Sequence, residues 1–546
     1  MLLQKAMPRS ISLLTFNVLL AIWLGVFLNV AFYQKIQALT PYTGLKAGLF
    51  VAASVGVVTA LYLFVLQILN WKWTAKPIAI ALIFIGGFAA YAVNTLGVWI
   101  TADQIQNMMQ TNIAEARDTW SLRLVVWVIG MIILPILVIL KVRLKPESGV
   151  RQVLKKIMAS LVSLILIGGL LFIFYVDFAA IFRENRELKG MISPQNMIAA
   201  SVSYYKKKAP KENLPLVHYG EDAQVSHPPK GAPKLMVLVV GETARAENFS
   251  LNGYAKETNP KLSKQDILNF SQVSSCGTAT AVSVPCMFSG MPRVDYDERL
   301  ASHREGLLDI AKRAGYQVTW IDNNSSCKGT CDRIGEYKIP ESIKQKWCKD
   351  GECLDDILID SLKAYLETIP KDDTRPQLVV LHQMGSHGPA YYKRAPEAFR
   401  VFKPTCDTNA IQGCTQEALI NTYDNTLLYT DYVLDSLINT LKNTTQYQTG
   451  LWYLSDHGES TGESGMYLHG APYAIAPSQQ THVPMLMWFS SAWQQQAATK
   501  QIKCLAQQSK NKLSQDNLFP TMLSLLDIKT KVINPKDDML QTCPKP

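Results

Sequence analysis

LMVLVVGET, residues 235–243, decides how the second half of the chain folds. Its uninterrupted apolar, β-branched run reads as a strand buried on both faces, as in a parallel sheet. It stops on Gly241–Glu242–Thr243, which puts a carboxylate just past the strand end. Further along come similar runs: YQVTWID (316–322), QLVVLHQ (377–383), TGLWYLSDHG (449–458) and VPMLMWF (483–489). Helical patterns lie between them, LLDIAKRAG at 307–315 and a long one over 417–442. Strands alternating with helices predict an α/β domain with a mostly parallel central sheet covered on both faces. Ligands in such folds bind beyond the carboxyl ends of the strands.

The residues at those ends are acids, amides and imidazoles. Glu242 follows the first strand, Asp322, Asn323 and Asn324 the second, and His382 and His387 lie at and after the third. Asp456, His457 and Glu459 follow the fourth, with His469 shortly beyond in YLHGAPY. One histidine at a strand end is usually structural. Four strand ends that all deliver acid or imidazole predict a site for zinc or another divalent transition metal. Metal-assisted chemistry needs a nucleophile. SSCGTATAVSVPC (274–286) offers Thr278, Thr280 and Ser283 between two cysteines. Metal coordination makes an alkoxide accessible at neutral pH. The plain alternative is a Ser/Thr-rich helix cap.

Upstream the character changes. Charged residues are 18% and hydrophobic residues 48% of the 546 residues, which excludes a disordered or fibrous chain, but the average mixes two unlike halves. Before about residue 180 the chain is mostly apolar. Stretches at about 11–33, 47–69, 77–100, 122–140 and 157–177 each approach the ~20 apolar residues a bilayer span needs. The first is too long for a signal peptide, lacks a clear small-x-small cleavage site, and is followed by four more. Basic residues gather in alternate connections: Lys5 and Arg9; Lys72 and Lys76; Lys141, Arg143, Lys145, Arg151, Lys155 and Lys156. These segments are predicted to be cytoplasmic. Five spans then place everything after about residue 178 on the far side, in a bacterium the periplasm. The net charge of +10 is scattered and does not point to nucleic acid.

All ten cysteines lie at or after Cys276. Cys276/Cys286, Cys327/Cys331, Cys348/Cys353 and Cys406/Cys414 are close in sequence, with Cys504 and Cys543 remaining. An even number in an oxidising compartment predicts five disulfides, with connectivity left open. The C-x2-C spacing of a zinc cluster is absent. Two further segments stand out. In the loop 101–121, expected to face outward, Asn107, Thr111 and Glu115 are four apart and would share one face of a helix, either solvated or touching headgroups. Residues 178–215 are amphipathic and end in basic and aromatic residues, which suits an interfacial helix on anionic headgroups, or a plain linker. The expected division is a transmembrane domain over 1–177, a bridge over 178–215 and a catalytic domain over 216–546.

VVGETAR (239–245), CGTATAVSVPC (276–286), NNSSCKGTC (323–331), QMGSHGP (383–389), SDHGES (455–460) and YLHG (467–470) resemble, in order and spacing, the motifs of bacterial phosphoethanolamine transferases. The chain is similar in particular to the lipid A enzymes, which include chromosomal and mobile colistin-resistance types. The resemblance covers essentially the whole chain. It implies an alkaline phosphatase/sulfatase-type catalytic domain beyond five transmembrane helices, in the Gram-negative inner membrane and acting as a monomer. It implies a zinc ion held by Glu242, Thr280, Asp456 and His457, with Thr280 as nucleophile. His387 and His469 would lie on the substrate side, at a second metal or at phosphate oxygens, as acid or base. Asn324, Ser325 and Lys328 would position the headgroup, and Asn107, Thr111 and Glu115 match the family's polar face near the membrane. Phosphatidylethanolamine would be the donor and a lipid A phosphate the acceptor, and the product would weaken polymyxin binding. The alternative acceptor is another periplasmic glycan or an oligosaccharide core. A sulfatase is disfavoured, because CMFSGMPR around Cys286 lacks the C-x-P-x-R pattern that forms formylglycine.

Overall fold

The computed structural model describes residues 10–111, 113–207, 214–226, 231–370, 372–496 and 499–543. Lys5, Arg9, Lys208 and the start of the HPPKGAPK stretch at 227–230 fall outside them. The chain divides into two compact units: residues 1–105 with 121–204, and 106–120 with 205–546.

The first unit is helical. Gly44–Leu69, Ala75–Leu96, Leu122–Lys141 and Gly149–Ile173 are long and apolar enough to cross a membrane. Leu13–Phe27 and Val30–Leu39 make a fifth if counted as one span, but they are bent by 55°. The first span expected over about 11–33 is therefore bent at Leu28–Asn29. The cause is the Asn29 amide. It donates to Leu24 O at 2.7 Å and Ser193 O at 3.0 Å, and accepts from Ser193 N at 2.7 Å. A side chain bonding into the helical ladder is a standard origin of a sharp kink. Large apolar side chains such as Leu122, Ile165 and Phe172 stay exposed on these helices, as lipid-facing residues do. Residues 178–207 run through the helices Tyr175–Glu184 and Gln195–Lys207, the second leaving Ile198 and Val202 exposed.

The second unit holds a seven-stranded sheet. Its strands are β1 (Lys234–Gly241), β2 (Ile267–Ser274), β3 (Gln317–Asp322), β4 (Gln377–His382), β5 (Gln448–Ser455), β6 (His482–Phe489) and β7 (Leu513–Ser514). The order is β7-β2-β6-β5-β1-β4-β3, and only β6 runs antiparallel to its neighbours. Every residue of β1 is buried. Met236, Leu238 and Val240 pack into one core with Phe270, Phe288, Trp320 and Phe519. Leu235, Val237 and Val239 pack into the opposite core with Tyr423, Leu434 and Tyr453. The two-residue period of a strand sends alternate side chains to opposite faces, and both faces are covered, so the run has no polar gap. Burial of each such side chain is worth roughly 1.5–3 kcal/mol.

The long helix Gln416–Lys442 supplies much of the second core. Its N-cap Thr415 hydroxyl accepts from Ala418 N at 3.2 Å. Strand β2 was not anticipated. Its Asn269, Ser271 and Gln272 break the apolar run, and its residues are mostly half-buried. The five disulfides are Cys276–Cys286, Cys327–Cys331, Cys348–Cys353, Cys406–Cys414 and Cys504–Cys543, with no free cysteine among the described residues.

Candidate active site

Parallel pairing of β1 with β5 sets Gly241 opposite Ser455, so the next residues, Glu242 and Asp456, leave the sheet side by side. Asp456 N donates to Gly241 O at 2.9 Å, extending the ladder by one bond. With His457 they form a buried group whose ligand atoms lie within 4.8 Å of one another. His457 Nε2 is 3.4 Å from Glu242 Oε1 and 3.4 Å from Asp456 Oδ2. Gly458, at the turn just after, allows the tight approach. A Cβ there would fall 2.0 Å from Gln479 O.

Thr280 opens the helix Thr280–Ser289, where backbone N–H groups favour a negative charge. Its hydroxyl donates to Glu242 Oε2 at 3.1 Å and lies 3.3 Å from His457 Nε2. The other two hydroxyl candidates are engaged elsewhere. Thr278 donates to Ala471 O at 2.7 Å, and Ser283 accepts from Gly277 N at 2.9 Å.

The donor set fits a divalent cation. His457 Nδ1 faces Gly458 O at 2.8 Å and donates to it, which leaves Nε2 as a lone pair aimed at two carboxylates. Acceptors facing acceptors in a buried space need a positive charge between them. Asp456 Oδ2 is buried and receives no hydrogen bond of ordinary geometry. Burial, and then the neighbouring Glu242 charge, push the Asp456 carboxyl well above its usual range. Burial, and then the nearby His469, lower His457 to about 3, so its imidazole is neutral, the form that ligates a metal.

Beyond this cluster the site is built from loops. His469 rings lie 4.4 Å from His457 and 5.6 Å from His387, centroid to centroid. His469 Nδ1 is 3.4 Å from the buried Glu459 carboxylate. Burial opposes its ionisation, but the Glu459 charge and hydrogen bond prevail and raise it to about 9. Asn324 Nδ2 donates to Glu242 Oε2 and to Gln383 O, both at 2.8 Å. Ser325 is held by Asn324 Oδ1, and Lys328 Nζ reaches Ser325 Oγ at 2.7 Å. Burial lowers the Lys328 ammonium, and the charges of Glu115, Glu242, Asp322 and Asp456 oppose that shift.

Glu115 Oε1 meets His387 Nε2 at 3.2 Å. Burial raises Glu115, but the hydrogen bond and charge of His387, with Lys328, leave it below the usual carboxylate range. Asn107, Thr111 and Glu115 do not ride on one helix. The chain forms Ala102–Gln110 and then Ile113–Asp118, and the Thr111 hydroxyl bonds Asn107 O at 2.8 Å at the break.

Three strand-end candidates stay behind the site. His382 is fully buried against Trp320, 3.4 Å from Asp322, and Asn323 holds Asp355 at 2.8 Å. Sequence reasoning missed Asp355, which accepts from Met384 N and Gly385 N at 2.9 Å each and so shapes the loop leading to His387. It also missed Gln515, whose amide donates to Ser455 O and Asp456 O at 2.7 Å each while accepting from Cys276 N. Neither lies in a motif-like run.

A doubly covered, mostly parallel sheet with a buried acid–imidazole cluster and a threonine opening a helix beside it, joined to a set of apolar helices, defines a membrane-anchored protein of the alkaline phosphatase/sulfatase class. Residues 234–528 match the sulfatase family model, and residues 58–209 match a model described as phosphoethanolamine transferase EptA/EptB. Phosphoethanolamine transferase EptA of Escherichia coli (strain K12) is 43% identical over 548 residues, 99% of each chain. Phosphatidylethanolamine transferase Mcr-2 of Escherichia coli is 34% identical, covering 96% of each. The solved structure of the integral membrane lipooligosaccharide phosphoethanolamine transferase A from Neisseria meningitidis matches with a TM-score of 0.92 and 38% identity, over 97% of this chain and 99% of that one. The chain belongs to the EptA family of phosphoethanolamine transferases.

Proposed function

We propose that the protein is an inner-membrane enzyme that moves phosphoethanolamine from phosphatidylethanolamine to a lipid A phosphate, with its catalytic domain in the periplasm. Its division would be a membrane domain over 1–177, a bridge over 178–215 and a catalytic domain over 216–546. The observation that carries the reading is the Thr280 hydroxyl, 3.1 Å from Glu242 Oε2 and 3.3 Å from His457 Nε2, inside a buried ligand set in a chain of this family.

One zinc ion held by Glu242, Asp456, His457 and Thr280 would supply Lewis acidity, making the threonine hydroxyl acidic and screening charge on the phosphoryl group. Thr280 Oγ1, its proton already turned toward Glu242 Oε2, attacks the phosphorus of phosphatidylethanolamine. The bond to the diacylglycerol oxygen breaks, and that oxygen takes a proton from the His387–His469 side. His469 suits the role because the Glu459 carboxylate beside Nδ1 favours the imidazolium. Asn324, Ser325 and Lys328 would orient the headgroup, and Glu115, with Asn107 and Thr111, would receive the ethanolammonium end. In the second half an oxygen of a singly protonated lipid A phosphate attacks the phosphorus carried by Thr280 while that phosphate's proton returns to the His387–His469 side; the bond from phosphorus to Thr280 Oγ1 breaks, and Oγ1 takes back the proton that had turned toward Glu242 Oε2. The added amine offsets phosphate charge, so cationic polymyxins bind less.

Mass spectrometry of lipid A from cells with the wild type, with Thr280→Ala and without the protein tests this. Phosphoethanolamine on lipid A is expected with the wild type only. Unmodified lipid A together with a modified core sugar or glycan would replace the acceptor.

A further inference from the structure

Glu115 reaches His387 from a helix of six residues, Ile113–Asp118. So short a helix does not hold itself in water, and something must fix it. The last residue of that helix is Asp118, whose side chain is only 1% exposed. It lies three positions after Glu115, so the two are neighbours on the helix surface. Lys393 Nζ donates to Asp118 Oδ1, and the Arg394 guanidinium donates to Oδ2. Arg394, itself buried, uses its other donors on two more partners. Nη1 donates to Glu352 Oε1 at 2.9 Å, and Nε donates to the main-chain oxygen of His387 at 2.9 Å.

These contacts close a ring. It runs from the Glu115 carboxylate to the His387 imidazole, from the His387 carbonyl to Arg394, from Arg394 to Asp118, and along one helical turn back to Glu115. The four charged members of the network, Asp118, Glu352, Lys393 and Arg394, sum to zero. Buried charge is tolerated when it is paired and fully hydrogen-bonded, as here. A planar guanidinium can hold a carbonyl and two carboxylates in fixed directions, which an ammonium cannot.

We infer that Asp118 and Arg394 are positioning residues that lock the Glu115 carboxylate and the His387 imidazole in register with each other, and so set how the enzyme takes its lipid donor. The inference rests on the lipid-transfer reading above. Asp118 acts on the donor only through Glu115. Arg394 acts through both members, because it also holds the His387 backbone.

The test uses full-length enzyme in vesicles of phosphatidylethanolamine and lipid A, beside hydrolysis of a small soluble phosphate ester that lacks the ethanolammonium group. Asp118→Asn is expected to raise the half-saturating fraction of phosphatidylethanolamine about tenfold, the size of one lost charge-assisted hydrogen bond. Ester turnover and zinc content should stay within about twofold. In a Glu115→Ala background, Asp118→Asn should cost lipid transfer nothing further, since the two act as one unit. Arg394→Lys should lower both reactions. Equal losses of Asp118→Asn in both assays, or additive losses in the double variant, would overturn the inference. Should Asp118→Asn not fold, Lys393→Met removes only the outer partner and is expected to show the same split at smaller size; equal effects on both reactions there overturn it too. A wild type that cleaves the ester yet moves nothing between the lipids would instead overturn the lipid-transfer reading, and this inference with it.

Discussion

The two sides of the site are built in different ways. Glu242, Asp456 and His457 follow two paired strands, and main-chain bonds fix their neighbourhood before any side chain is placed. Glu115, Lys328, His387 and His469 come from loops and a short helix, and side-chain contacts hold them. A one-residue slip in the sheet would turn β1 inside out, so the first side is as well specified as the core. The second can change without unfolding anything. The metal-facing side should therefore respond to substitution in an all-or-none way, and the loop-built side in a graded one.

The sharpest break in that contrast is the proposed nucleophile, Thr280. Thr280→Ala should lower transfer by at least about a thousandfold, as loss of a covalent nucleophile does, while leaving thermal stability close to the wild type. A peptide map should show phosphoethanolamine on Thr280 in the wild type and none in the variant. Full activity in the variant would remove Thr280 from the reaction. Next in size are Glu242→Ala, Asp456→Ala and His457→Ala. Each should lose bound zinc and activity together, because in the proposed site these three ligands and Thr280 would complete a tetrahedral set. Metal analysis and rate should fall in parallel, and chelation of the wild type should be reversed by zinc. A variant that keeps its rate after verified metal loss would contradict the assignment.

The same contrast explains what was legible in the sequence. LMVLVVGET and TGLWYLSDHG announce themselves because a doubly buried strand allows no polar interruption, and the acids after them stand out against it. Strand β2 was hidden because Asn269, Ser271 and Gln272 interrupt its apolar run. The bend at Asn29 was hidden because one partner that engages its amide, Ser193, lies 164 residues away. Spacing put Asn107, Thr111 and Glu115 on one helix face, yet the chain forms two helices there, Ala102–Gln110 and Ile113–Asp118. His382 shows the converse error. It sits at a strand end like the proposed metal ligands, but the indole of Trp320 and the carboxylate of Asp322 enclose it in the core. Position along a strand was readable; which way a side chain turns, and what meets it from a distant loop, was not.

On the loop-built side, Glu115→Ala should lower lipid transfer about 10- to 100-fold, the equivalent of one or two charge-assisted hydrogen bonds. Zinc content should not change, because Glu115 touches His387 and none of Glu242, Asp456 and His457. Normal transfer would leave Glu115 an ordinary polar residue, and loss of zinc would point to misfolding rather than to recognition.

The smallest expected effect is on stability, and its sign follows from Asp118. Burial raises that carboxyl, but the Arg394 and Lys393 charges and hydrogen bonds overcome it and hold it below its ordinary value. A carboxylate whose folded value is depressed stabilises the fold fully above its unfolded value, about 3.9, and loses that contribution as pH falls through the lower folded value. Asp118→Asn keeps the shape and removes the charge. At pH 7 it should destabilise the full-length protein by about 1–3 kcal/mol, the range for a charge-assisted hydrogen bond. The gap in thermal midpoint between wild type and variant should stay level from pH 7 down to about 5 and narrow below about 4, as the wild-type carboxyl gains its proton. Thermal scans of both proteins over that series measure it. A gap that stays constant through the acid range would mean that packing around Asp118, and not its charge, holds the short helix in place, and the loop-built side would then be fixed by shape as the strand-built side is.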